Sequence, residues 1–286
     1  MNQPTKQQER KRTVQDKIIS GLNSFRYSLA EPLKLKIARL KYEKLYKNPK
    51  EKPLVSVYIP TYNRAQLLID RAVSSVLKQT YKNLELIIVG DHCTDNTQEL
   101  VSKIDDPRIK FINLPKREKR YPDNVQIHWF AGPVVPANKA LEMVRGKWIA
   151  RIDDDDIWTP DHIESLIKFA QKNDYEFVSA SYVAERHGKR IIVDVKDDKP
   201  RIGGTQTWLY RSYLKFFKYN INCWRKSWNK VNDIDLQVRM HKAGVRMGFL
   251  DKVVAEVLPR PGENTVGLEA YKLTENEKKK HFEFKD

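Results

Sequence analysis

The sequence predicts an α/β protein with a mostly parallel sheet flanked by helices, preceded by a basic helical extension. Three observations carry this. Short apolar runs rich in β-branched residues alternate with amphipathic stretches across residues 54–172, most of those runs end in a polar cluster, and the excess positive charge is concentrated ahead of the first of them. The 286 residues are 40% hydrophobic and 31% charged, which excludes a disordered chain and suffices for a substantial core. With only Cys93 and Cys223, a disulfide framework and a four-cysteine zinc site are excluded, and a reducing, cytoplasmic compartment is expected. No apolar run approaches the roughly 20 residues that cross a bilayer, and no secretory h-region follows MNQPTKQQERKR.

The chain carries 53 Lys and Arg against 37 Asp and Glu, a net charge of +16, and residues 1–52 hold 14 and 5 of these. More than half of the excess thus lies in less than a fifth of the length. Val14, Ile18, Leu22, Phe25 and Leu29, then Leu33, Ile37 and Leu40 after Pro32, recur at helical spacing among these cations. They predict one or two basic amphipathic helices. Such a helix suits the cytoplasmic face of an anionic membrane, with the protein peripheral on it, and equally suits packing on the main domain or on a second copy. A nucleic-acid role is disfavoured, because no binding motif stands among the charges.

A linker is expected over residues 48–53, followed by strands 54–60, 84–91, 109–114 and 147–152 with helices 65–79, 95–104 and 134–144 between them. Residues 115–133 read as a long polar loop. A helix over 161–172, a hairpin turning at His187-Gly188 and a helix over 232–243 follow. Ligands of parallel sheets bind beyond the carboxyl ends of the strands. Pro60-Thr61-Tyr62-Asn63-Arg64, Gly90-Asp91 and Asp153-Asp154-Asp155-Asp156 therefore converge on one rim. Four adjacent carboxylates repel one another, and a hard divalent cation with a diphosphate ligand would relieve the repulsion. Capping of the following helix accounts for one aspartate but not four.

VSVYIPTYNR (55–64), SSVLKQTYKNLELIIVGD (74–91) and NKALEMVRGKWIARIDDDDIWTPDH (138–162), in this order, resemble the inverting glycosyltransferases of family 2, which have the GT-A fold. The resemblance implies a GT-A domain over 53–258, with a nucleotide-binding half of about 53–156 and an acceptor half of about 157–258, then a C-terminal loop and charged tail over 259–286. It implies that Pro60, Thr61, Tyr62 and Asn63 lie along the nucleotide base, that Asp91 meets a uracil, and that Asn138 and Asp154 belong to the nucleotide site. Asp155 and Asp153 would hold Mn²⁺ or Mg²⁺. The chain departs from the family pattern where Gly90-Asp91-His92-Cys93 replaces paired aspartates before Gly-Ser, where Ala137 stands for an arginine, and where Asn232 stands for a glutamate.

The implied reaction moves a sugar from a nucleotide-sugar, UDP-linked by the position of Asp91, to a hydroxyl of a glycan or lipid-linked acceptor with inversion. The cation stabilises the leaving diphosphate, and Asp233, with Asp235 in reserve, deprotonates the acceptor. The alternative for Asp233 is a first-turn acid that satisfies the helix dipole. Residues 203–211 correspond to the acceptor floor, making Trp208 and Arg211 candidate acceptor contacts, although a tryptophan before an apolar run also suits the core. Trp224 and Trp228 are further acceptor candidates, and Arg260 is a candidate cation over the diphosphate. A phosphatase built on Asp153-x-Asp155 would carry the motif on its first strand, and a nucleotidyltransferase would show a Gly-rich phosphate loop. A non-catalytic basic surface protein leaves the aspartates unexplained.

Overall fold

The structure is a computed structural model and describes residues 11–48, 52–198, 200–228 and 230–284. The first ten residues of the predicted extension, residues 49–51 of the linker and the last two residues lie outside these. Strands β1 (Val55–Thr61), β2 (Leu84–Gly90), β3 (Ile109–Asn113) and β4 (Trp148–Arg151) pair in parallel in the order β3-β2-β1-β4. The sheet continues through β8 (Leu209–Arg211), β6 (Phe177–Arg186) and β9 (Met247–Val257) to β5 (Asp156–Trp158), with β7 (Lys189–Val193) hairpinned onto β6. This second half is mixed, since β8 pairs antiparallel with both β4 and β6 while β6 and β9 are parallel.

Strands β1 and β2 are buried at every position, as a central parallel sheet covered on both faces requires. Alternation sends Val57 and Ile59 into one core with Leu68, Val76 and Leu166, and Tyr58 into the other with Leu141, Phe177 and Leu236. The hairpin turns where expected, at His187 (φ 50°) and Gly188 (φ 73°), a left-handed pair that matches the twist of the flanking strands. Strands β5, β8 and β9 are absent from the sequence reading. The first two are three residues long, and the third interrupts its apolar residues with Asp251 and Lys252. Helix Val125–Ala131 lies within the stretch read as loop, and residues 268–281, read as tail, form two short helices.

The N-terminal helix is a single element, Val14–Tyr42, that runs through Pro32. Thr13 and Asp16 close a capping box at its start. It docks through its polar face: Asp16, Ser20, Glu31, Leu35 and Ala38 are buried, whereas the apolar stripe points away from the domain. The expectation that the stripe packs on the main domain is therefore not met. Arg39 donates two hydrogen bonds, of 2.7 and 2.6 Å, to the Glu176 carboxylate, which also accepts from Tyr213 Oη and Arg246 N. Glu176 is fully buried, and its loss takes the carboxylate from Arg39 and the acceptor from Tyr213 Oη and Arg246 N. Glu176→Ala is expected to cost about 1–3 kcal/mol of unfolding free energy in urea denaturation, the magnitude typical of leaving buried hydrogen-bonding groups unmatched.

Candidate active site

Register brings the strand ends together. Thr61 is level with Gly90 across β1 and β2, Tyr58 is level with Arg151 across β1 and β4, and the chain beyond each residue enters one rim. At Gly90 an added Cβ would lie 2.6 Å from Asn113 Oδ1, so glycine is needed for that close approach. The Asn113 amide in turn accepts from Cys93 N at 2.7 Å and donates to Cys93 O at 2.8 Å, which fixes the turn carrying Asp91. The helix over 65–77 contains a π-helical segment, Leu68–Val73, from which Arg71 donates to the carbonyls of Asp155, Leu258 and Pro259 at 2.9, 3.0 and 2.7 Å. One arginine thereby ties the aspartate run to the loop of Arg260.

Two clefts open on this rim. The first is lined by Pro60, Thr61, Tyr62, Asp91 and Arg117, the second by Tyr182, Arg186, Gln206 and Glu269. They share a wall made of Trp129, Asp153, Asp155, Thr205, Asp233 and Arg260. Residues 259–284 are thus a wall of the site rather than a free tail. Tyr271 Oη accepts from Arg64 at 3.3 Å, and Phe282 stacks on Tyr62 with centroids 5.7 Å apart and planes 13° apart.

Arginines already meet three of the four aspartates. Asp154 accepts from Thr61 Oγ1 at 2.8 Å and from Arg64 at 2.9 Å, Asp155 from Arg260 Nε at 2.6 Å, and Asp153 from Arg151 at 2.8 Å. Burial pushes the Asp155 carboxyl up, but Arg260 and Arg64 outweigh it and hold the group down at about 2. Asp156 is raised well above the usual carboxylate range by burial and by the neighbouring Asp155 and Asp153. The repulsion expected of the run is therefore relieved by side chains, and among the described residues no three His, Cys, Asp or Glu side chains gather into a metal site. The hard oxygens of Asp153 and Asp155 on the shared wall still suit Mg²⁺ or Mn²⁺, which commonly take one or two protein carboxylates and complete their shell with water and substrate phosphates.

Several buried polar atoms in the first cleft have no hydrogen-bond partner among the described residues: Asp91 Oδ1, Arg117 Nε, Arg151 Nη1, Asn232 Oδ1 and Arg260 Nη1. A buried, unmatched set of donors and acceptors is costly unless a polar ligand completes it. Arg117 lies over the Tyr62 ring at 4.1 Å and 3.6 Å from the Asp91 carboxylate. Burial raises Asp91 to about 6, with Arg117 opposing. His128, bonded to Arg117 at 3.0 Å, is lowered to about 3 by burial and by that guanidinium. It is neutral at pH 7 and accepts from Arg117.

Asp233 stands in the first turn of helix Asn232–Lys242, whose N-cap Val231 makes no side-chain cap. Among the described residues its carboxylate accepts only from Ile234 N, at 2.8 Å, and burial raises its pKa while Arg151 lowers it. Asp235, the reserve candidate, is buried between Lys226 and Arg239 and lines neither cleft.

Pro60, Thr61, Tyr62, Asp91, Asp153, Asp154, Asp155 and Asp233 are brought together as the sequence suggests. Others are not. Asn138 exchanges two 2.9 Å bonds with the backbone of Tyr219, Asn63 turns toward Thr94 N at 2.8 Å, and Trp208 is fully buried against Phe177 with its indole N–H on Gly203 O at 2.8 Å. Arg211 is also buried and donates to Asp174 at 2.7 Å. In each case a nearer intramolecular partner claims the polar group. Arg64, Arg117, Arg151 and His128 are site residues that motif reading passed over, although Arg64 closes the PTYNR motif.

Residues 56–126 and 130–231, more than half of the chain, match the family described as Glycosyl transferase family 2. The chain belongs to that family. It is 38% identical over 125 residues to the putative colanic acid biosynthesis glycosyl transferase WcaA of Escherichia coli K12, covering 43% of this chain and 40% of that protein. Over 129 residues it is 36% identical to the E. coli UDP-Glc:alpha-D-GlcNAc-diphosphoundecaprenol beta-1,3-glucosyltransferase WfgD, covering 45% and 46%. The chain thus spans less than half the length of these two relatives. The fold is that of S. aureus TarS 1-349 in complex with UDP-GlcNAc (TM-score 0.56, 19% identity, 73% of this chain and 60% of that one). It is also that of the Pyrobaculum calidifontis mannosyltransferase PcManGT in complex with GDP-Man and Mn²⁺ (TM-score 0.57, 18% identity, 82% and 69%). These are GT-A glycosyltransferase structures, so this family 2 chain has the GT-A fold.

Proposed function

We propose that this family 2 protein is an inverting, metal-assisted glycosyltransferase that moves a sugar from a UDP-sugar to a hydroxyl of a glycan or lipid-linked acceptor. The observation that carries the reading is the shared wall: Asp233 stands with Asp153, Asp155 and Arg260 where the two clefts meet. A donor in the first cleft and an acceptor in the second would have their reacting atoms at that wall. The relative WfgD, named for a UDP-Glc donor and a diphosphoundecaprenol-linked acceptor, supports the substrate classes.

In this reading Tyr62 and Arg117 line the base, and the unmatched Asp91 oxygen accepts from an imide N–H of uracil. Arg151 and Arg260 offer unmatched guanidinium N–H groups to the diphosphate. Asp155 with Asp153 would hold the cation, which supplies Lewis-acid stabilisation of the departing diphosphate. Asp233 takes the acceptor proton as the hydroxyl attacks in line, and the direct displacement inverts the anomeric centre without a covalent intermediate. The apolar ring of Tyr62, Trp129 and Phe282 keeps water from the base and the wall.

The test is UDP release from a panel of UDP-sugars with Mn²⁺, with and without glycan and polyprenyl-diphosphate acceptors. Turnover supports the proposal, and a preference for GDP-sugars would reassign the base site. Because Asp91 is held at about 6, its carboxylate loses its charge, and with it much of its strength as an acceptor, as the pH drops below that value. UDP affinity is therefore expected to fall as the pH drops below about 6, by at most about tenfold per unit, the limiting slope for one proton. Calorimetric titration of UDP between pH 5 and pH 8 checks this, and Asp91→Asn should flatten the profile.

A further inference from the structure

The docking of the N-terminal helix sorts its charges by face. Within the described part of the extension the acids are Asp16, Glu31 and Glu43, and each pairs with an arginine of the main domain: Arg225 at 2.5 Å, Arg239, and Arg246 at 2.5 Å. What remains on the surface of residues 11–48 is eight exposed cations, among them Lys17, Arg26, Lys34, Lys36 and Lys41, and no exposed carboxylate. Interleaved with them, the eight apolar side chains of the stripe from Val14 to Leu40 are 54–76% exposed. The stripe extends about 40 Å at the helical rise. Trp228, 58% exposed, adds to it: with Phe25 it lines a groove whose rim carries Lys17, Lys226 and Lys242.

An exposed apolar patch of this length marks an interaction surface. Its charge selects the occupant. A second copy docked face to face would set eight cations against eight with no carboxylate to offset them, on a chain of net charge +16. An anionic lipid surface complements both features, taking the apolar side chains at the acyl boundary and the ammonium groups among its phosphates.

We propose that the outward face of helix Val14–Tyr42, continued by Trp228, is a docking surface for an anionic phospholipid membrane. The helix lies along the surface, since among the described residues no helix is long and apolar enough to cross a membrane. Its inward face grips the acceptor half: Glu31 meets Arg239 on helix Asn232–Lys242, the helix whose first turn presents Asp233. The inference is independent of the transferase reading, because binding is measured without turnover.

The test is co-sedimentation of the full chain with phosphatidylcholine vesicles, with and without phosphatidylglycerol, alongside light scattering for oligomeric state. The triple variant Leu22→Glu, Phe25→Glu, Leu29→Glu alters only exposed positions, and circular dichroism and thermal melting verify its fold. Expected are partition onto anionic vesicles only, loss by about tenfold or more in the variant, and a further loss with salt. Binding of variant and wild type alike, no binding of wild type, or a wild-type dimer that the variant converts to monomer would each overturn the proposal.

Discussion

Replacing Asp233 with asparagine is expected to lower turnover by about 10²- to 10⁴-fold, the range that a positioned general base supplies, with UDP affinity unchanged. Asparagine keeps the shape of the side chain and removes only its ability to take a proton. Among the described residues the carboxylate has no side-chain partner and accepts from one first-turn amide, Ile234 N, which the asparagine oxygen can keep, so the substitution breaks little structure. Burial lifts its pKa and Arg151 restrains the lift, which leaves a carboxylate more basic than an exposed one. The measurement is kcat with saturating donor, paired with calorimetric binding of UDP. Equal losses in binding and turnover would place Asp233 in donor binding. Asp235→Asn provides the contrast: with Lys226 and Arg239 as its partners, it should lower stability and leave the pH dependence of turnover in place.

Asp155→Ala is expected to abolish the gain in UDP affinity that Mn²⁺ or Mg²⁺ confers and to reduce turnover by more than about a hundredfold, because a Lewis acid contributes several kcal/mol at the transition state. It also leaves the largely buried Arg260 without the carboxylate that now accepts from its Nε. The two consequences separate in a second variant. Asp155→Ala combined with Arg260→Met removes both charges, so stability should recover while the metal effect on UDP stays lost. Thermal melting with UDP, with each metal and with chelator, reads both. A metal effect that survives in Asp155→Ala would remove that residue from the cation site.

The parallel half of the sheet was legible because each of its signals is local. β1 and β2 are unbroken apolar runs, the strand-end residues are polar, and parallel pairing forces strand ends onto one rim, so Asp91 and the aspartate run had to meet. Asp233 was legible as an acid at a helix start. The partners of the acids were not. Arg64 and Arg117 are two of 53 Lys and Arg residues, and nothing in local spacing tells a guanidinium that crosses the fold from one in solvent. The closing segment 259–284 was hidden for a similar reason, since Tyr271 and Phe282 find their packing partners, Tyr62 and Trp129, over long sequence separations. The periodicity of the N-terminal helix was correct, but periodicity left open which face of it docks on the domain. Arg225, Arg239, Arg246 and Glu176 on the domain select the polar face, and selection by distant charges leaves no trace in the pattern of the helix itself.

The central claim is that the first cleft holds a nucleoside diphosphate with a divalent cation. Calorimetric titration of the wild-type protein with UDP, GDP, ADP and CDP, each with Mn²⁺ and with chelator, tests it most directly. The account predicts that UDP binds, that Mn²⁺ tightens binding, and that chelator reverses the gain. Failure of every nucleotide to bind under every condition would contradict it.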